Sequence, residues 1–71
     1  MSAYAEIFRK LQPGFPPHQI EAFVRLEHGT LDHMDVSALE REAAIAAECI
    51  RTAGPEMAEA CARSLGLGVA A

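Results

Sequence analysis

The chain has 71 residues, a length suited to one small domain, and its formal net charge is −4. Hydrophobic residues make up 51% of the sequence, but many of them are alanines, which leaves enough large apolar side chains for one modest core. With only six Lys and Arg residues, the chain lacks the basic stripe that neutralises nucleic-acid phosphates, so direct nucleic-acid binding is not expected.

No segment resembles a targeting signal or a membrane span. The sequence lacks a basic start followed by an apolar run, and no apolar stretch approaches the about 20 residues that cross a bilayer. Two cysteines are too few for the disulfide framework of a small secreted domain. We therefore expect a cytoplasmic protein without membrane association, in which Cys49 and Cys61 are buried, unreactive thiols.

The first predicted helix covers about residues 3–11. Its apolar residues recur at helical spacing and form one stripe, made of Tyr4, Ile7, Phe8 and Leu11. Pro13 ends the helix, because a proline disfavours helical geometry in the residue before it.

The second predicted helix covers about residues 17–28. Pro17 suits the first helical position, where its missing N–H would be unpaired in any case, and Gly29 supplies a helix-closing position. One face carries Ile20, Phe23, Val24 and Glu27. Leu26 lies to one side of this face.

The third predicted helix covers about residues 37–53, and its start has two candidate caps. Ser37 and Glu40 fit a capping box, in which the side chain of each residue accepts a hydrogen bond from the backbone N–H of the other. Asp35 is the alternative cap, with Met34 and Leu39 as its hydrophobic staple. We predict that Ser37 is the cap.

The same stretch is similar to the modification site of acyl and peptidyl carrier proteins. Their modified serine directly follows an aspartate in an Asp-Ser-Leu motif, whereas here one residue is inserted on each side of Ser37. A capping role accounts for this serine, so we do not expect it to be modified.

The inward stripe of the third helix is rich in alanine and consists of Leu39, Ala43, Ala46, Ile50 and Ala53. Ile45 and Cys49 lie beside this stripe. The opposite face is half charged and includes Ala47. Small side chains allow a neighbouring helix to approach closely, so this helix is predicted to be the central packing element.

The fourth predicted helix covers about residues 55–65. Glu56 near its start and Arg63 in its last turn suit the helix dipole. Its inward residues are expected to be Met57, Ala58, Cys61 and Leu65. No segment shows the two-residue alternation of a strand, so the sequence predicts an all-α, compact four-helix bundle that forms a single domain over residues 1–71.

Residues capable of chemistry are present without a motif to frame them. The histidines His18, His28 and His33 fall at helix ends or in a loop, where exposure is the usual outcome. The two cysteines lie on different helices, whereas structural zinc sites usually take their ligands from pairs that are close in sequence. We expect no enzymatic activity, no cofactor and no metal site.

The third and fourth helices resemble a helix-turn-helix in outline. The second helix of that unit presents its N-terminal residues to DNA bases, and here Glu56 and Glu59 would face the acidic duplex. A DNA-binding transcription factor is therefore the alternative hypothesis. A helical hairpin packed on the core is the preferred interpretation.

Four apolar or sulfur-containing residues lie off the main stripes, and we expect them to form a partner-binding surface: Phe15, Leu26, Ile45 and Cys49. Apolar patches on small domains commonly bind other proteins. The sequence thus favours a small acidic regulator, such as an adaptor, antiactivator or inhibitor, that masks a surface on a larger protein. Homo-oligomerisation through the same residues is the other possible association.

Overall fold

Four α-helices account for most of the computed structural model, which describes residues 3–67. They are α1 (Ala3–Leu11), α2 (Pro17–His28), α3 (Val36–Ala53) and α4 (Pro55–Ser64), and no strand occurs within that range. The predicted all-α, four-helix architecture is confirmed, with every helix boundary within one residue of its predicted position.

The caps of α2 follow from its sequence. Pro17 occupies the first turn, and the backbone N–H of Gly29 donates to the carbonyl of Arg25 at 2.7 Å to close the helix. The φ angle of Gly29 is 79°, in the region where a side chain is disfavoured. The chain then turns through a short loop whose Leu31 is buried in the core.

Asp35, not Ser37, begins α3. The Asp35 carboxylate accepts a hydrogen bond from the N–H of Ala38 at 2.8 Å, and Val36 is the first helical residue. Met34 packs partly buried against the cluster that contains buried Leu39, as the alternative cap requires. The predicted Ser37 cap is wrong because the chain is already helical when it reaches that serine.

A single glycine separates α3 from α4. Gly54 closes α3 through its N–H, which donates to the Ile50 carbonyl at 2.8 Å, and its own carbonyl accepts from the N–H of Ala58. Its φ of 95° and ψ of 158° belong to a region that is populated essentially by glycine. The turn can therefore be short, which makes α3 and α4 immediate neighbours.

The core joins all four helices and the α2–α3 loop. Its fully enclosed large side chains are Phe8, Ile20 and Val24, and the α3 contribution is mostly alanine. α2, rather than the predicted α3, makes the most extensive contacts with the other three helices. The longer, alanine-rich helix covers the core from one side, while α2 is enclosed between its neighbours.

The buried faces differ from prediction on α3 and α4. Ala47 is buried rather than outward-facing, because α3 packs against both α2 and α4 and its inward face is therefore wider than one stripe. Met57 and Leu65 were predicted to face inward but are 61% and 37% exposed. The small residues Ala58 and Ala62 form the inward face of α4, which lets that helix approach its neighbours closely.

A polar cluster links α2 to α4. His18 Nε2 lies 2.6 Å from Glu59 Oε1, and the same oxygen accepts a hydrogen bond from Gln19 Nε2 at 3.0 Å. Gln19 is buried, as is Glu21, whose Oε2 is 3.7 Å from Arg25 Nη1. The prediction that all three histidines are simply exposed is wrong for His18, which this cluster half-buries.

A second polar contact ties α1 to the loop before α3. The Tyr4 hydroxyl donates to Asp32 Oδ1 at 2.9 Å. This hydrogen bond to the carboxylate, with the nearby negative charge, raises the pKa of Tyr4. The contact ties the α2–α3 loop to α1.

Candidate functional site

An exposed apolar surface lies between α2 and α3. Its α2 wall consists of Phe23, Val24, Leu26, Glu27 and His28. Its α3 wall consists of Glu42, Ile45, Ala46 and Cys49. The hollow between these walls has a volume of about 320 Å³.

A second depression adjoins this hollow along α3. It shares Phe23 and Cys49 with the hollow and is completed by Glu48, Thr52 and Ala53. We call the two together the α2–α3 groove. From Glu42 to Ala53 it follows about 16 Å of helix, or three turns.

Exposed apolar side chains form the centre of the groove. Leu26 is 59% exposed and Ile45 is 53% exposed, while Phe23 is half-buried and packs against the core. The exposed residues come from the flanks of two amphipathic helices whose inward faces are already filled. No other element among residues 3–67 covers these exposed side chains.

The structure brings together three of the four predicted site residues. Leu26, Ile45 and Cys49 all line the groove. Phe15 does not: it precedes α2, packs against the core, and lies under the Arg51 guanidinium, 5.4 Å from the ring centroid. It is therefore separate from the proposed surface.

Acidic side chains border both walls of the groove. Glu27 is exposed on the α2 side, and Glu42 and Glu48 lie on the α3 side. Glu42 Oε1 is 3.0 Å from His28 Nε2, and Glu48 forms an exposed ion pair with Arg51. No Lys or Arg is among the groove-lining residues in the described part of the chain.

The two cysteines occupy different environments. Cys49 is exposed on the α3 wall of the groove, so its predicted burial is wrong: the wide inward face of α3 does not reach it. Cys61 on α4 is only partly exposed, and burial raises the pKa of its thiol. Both are free thiols.

A polar hollow lies beside the groove and shares His28 and Glu42 with it. Ser37 and Arg41 contribute to it, and the His33 ring lies 6.5 Å from the His28 ring. Within residues 3–67, Ser37 has no hydrogen bond to either imidazole, the contact by which a base would activate it. The described chain also brings together no group of three His, Cys, Asp or Glu side chains suited to a metal ion.

None of the helices described over residues 3–67 combines the length and apolar character of a membrane-crossing segment. Comparison with protein-family models, with curated proteins and with solved structures finds no match to this chain.

Sequence reasoning missed two features of this site. Phe23 was placed on the inward stripe of α2, yet it forms part of the groove floor. The acidic border was also missed, because Glu27 and Glu48 are on different helices and only the packing of α2 on α3 brings them to one surface. The i, i+3 spacing of Phe23 and Leu26 is the signal that could have revealed the first.

Proposed function

We propose that the chain is a small cytoplasmic protein-binding regulator whose α2–α3 groove holds a helix of a larger protein. The observation that carries this proposal is the exposure of Leu26 and Ile45 side by side in one groove. Exposed apolar area on a small domain is unfavourable in water, and burial against a partner offsets that cost.

A helix is the occupant that suits the shape of the groove. Helix-in-groove recognition uses anchors at positions i, i+3 or i+4, and i+7, which span two turns of the bound helix. The groove follows three turns of α3 and is open at its surface along that length. A helix laid between α2 and α3 would cover the exposed side chains of Leu26 and Ile45.

The regulator acts by occupying its partner's surface, as an adaptor, antiactivator or inhibitor does. The net charge of −4 and the acidic border favour a partner whose bound surface is basic. The DNA-contacting surface of a transcription regulator has this chemistry. Covering such a surface would prevent the partner from binding DNA.

The test compares three forms of the protein as bait in extracts of its native host. Ile45→Glu removes an apolar anchor, yet glutamate is a good helix former and would add to any attraction for a basic partner. Met57→Glu is the matched control, since Met57 is equally exposed but lies on α4 outside the groove. We expect wild type and Met57→Glu to capture the same protein and Ile45→Glu to lose it.

The captured protein is then purified and its binding to the three forms measured directly. Equal affinity for Ile45→Glu and wild type would contradict the proposal. A gel shift with genomic DNA fragments separates the helix-turn-helix alternative, which requires binding that weakens steeply with salt. In the folded chain Glu59 of α4 contacts His18 and Gln19 of α2. These contacts add no support to the helix-turn-helix alternative.

A further inference from the structure

We infer that the α2–α3 groove accepts an amphipathic helix that carries Lys or Arg on both sides of its apolar face. This inference rests on the proposed function and specifies the chemistry of the partner. It follows from the positions of the acidic residues rather than from their number.

Each wall of the groove carries an exposed carboxylate. Glu27 is exposed on the α2 wall and has no ion-pair partner among residues 3–67. Glu48 is exposed on the α3 wall, between the turns that carry Ile45 and Thr52. A helix lying along the groove would therefore pass one exposed carboxylate on α2 and another on α3.

The nearby cations do not cancel this charge. Arg51 pairs with Glu48, but both side chains are more than half exposed, and such pairs exchange readily with other partners in water. His28 lies 3.0 Å from Glu42, so its contact engages neither Glu27 nor Glu48. Each wall thus presents an exposed carboxylate beside the apolar residues of the groove.

A second copy of this chain is a poor occupant for the same reason. Each copy has a net charge of −4, and apposing two grooves would bring Glu27 and Glu48 of both copies into one interface. Like charges across an interface oppose association. A cationic helix would instead place positive charges near Glu27 and Glu48.

The test uses three synthetic helical peptides with one common apolar face. The residues flanking that face are all Lys, all Gln or all Glu, and binding to the full chain is measured by fluorescence anisotropy at low salt. We expect the Lys peptide to bind about tenfold more tightly than the Gln peptide, as two or three exposed charge pairs would give. The Glu peptide should bind most weakly, and added salt should narrow these differences.

Two double variants separate local charge from net charge. Glu27→Gln with Glu48→Gln neutralises both walls, whereas Glu40→Gln with Glu56→Gln makes the same change at exposed residues outside the groove. The first should weaken Lys-peptide binding about fivefold. The second should change it by less than about twofold at moderate salt, where distant charges are screened.

The outcomes distinguish this inference from the proposed function. If the Gln or Glu peptide binds as tightly as the Lys peptide, or if the two double variants behave alike, the charge inference is overturned while the groove remains a binding site. If no peptide binds, the inference is also overturned. If Ile45→Glu binds the Lys peptide as well as wild type does, the apolar groove is not the site and the proposed function fails.

Discussion

At the residue scale, the start of α3 depends on one carboxylate. Asp35 has extended backbone geometry, with φ −81° and ψ 177°, and its side chain satisfies the N–H of Ala38. Ser37 lies two residues inside, where its hydroxyl is not needed for capping. Asp at this position also suits the positive end of the helix dipole.

We predict that Asp35→Ala lowers the free energy of unfolding by about 1 kcal/mol, because the N–H of Ala38 loses its acceptor. Ser37→Ala is the matched control and should change it by less than about 0.5 kcal/mol, as expected of an exposed residue outside the cap. Urea unfolding followed by circular dichroism measures both. A larger loss for Ser37→Ala than for Asp35→Ala would contradict the assignment of the cap.

The two thiols should differ in reactivity. Cys49 is exposed, so a thiol reagent should modify it rapidly in the native protein. Burial raises the pKa of Cys61, which lowers its thiolate fraction at neutral pH and should make its labelling slow. As the pH is raised, the labelling rate of Cys61 should keep increasing beyond the pKa of an ordinary thiol. Cys49→Ser should remove the fast phase and Cys61→Ser the slow one. Equal rates in the two single variants would refute this difference.

At the element scale, helix positions could be predicted from the sequence more accurately than helix faces. Pro17 fixes its own φ angle, and Gly29 and Gly54 permit the positive φ angles found at helix ends. These effects are local, so they are readable without knowing the fold. The burial of Ala47 and the exposure of Met57 depend on which helices pack together. Alanine fits either an interface or a solvent-facing side, so its type alone does not identify the inward face.

The contact between α2 and α4 could not be predicted for the same reason. Glu59 lies forty-one residues from His18 in the sequence, and nothing in either segment indicates the other. In the fold, Glu59 accepts from the buried Gln19 amide, so it determines how α4 sits on α2. This carboxylate therefore links α4 to α2.

We predict that Glu59→Ala destabilises the bundle by about 1–3 kcal/mol, because it leaves the buried Gln19 amide without this acceptor. Glu56→Ala removes a carboxylate from the same helix at an exposed position and should cost less than about 0.5 kcal/mol beyond its effect on the helix dipole. Thermal and urea unfolding measure both variants. Equal stabilities would show that the α2–α4 cluster is not needed to hold α4.

At the scale of the whole molecule, the sequence identified part of the candidate site. Leu26, Ile45 and Cys49 stood off the predicted stripes, and they do line one groove. Phe15 was grouped with them because proline-bounded apolar residues are hard to place before the path of the loop is known. The acidic border could not be predicted from the sequence, because it forms only when α2 packs on α3.

Substitution of a groove residue should change the stability of the fold much less than substitution of a core residue. Ile45→Glu should shift the thermal midpoint by no more than about 4 °C, since Ile45 is largely exposed and the domain is small. Ile50→Ala, five residues further along α3, removes a buried side chain and should cost about 2–5 kcal/mol. If Ile45→Glu is as destabilising as Ile50→Ala, then Ile45 is a core residue and the groove is not a free surface.

Peptide binding in the α2–α3 groove is tested most directly by amide chemical-shift mapping of the full chain as the Lys-flanked peptide is added. We predict that the perturbed amides fall within residues 23–28 and 42–53, on the two walls of the α2–α3 groove, while those around Met57 remain unchanged. Perturbations confined to α1, to α4 or to the Phe15 loop would contradict the central claim that binding occurs in this groove, as would the absence of any perturbation.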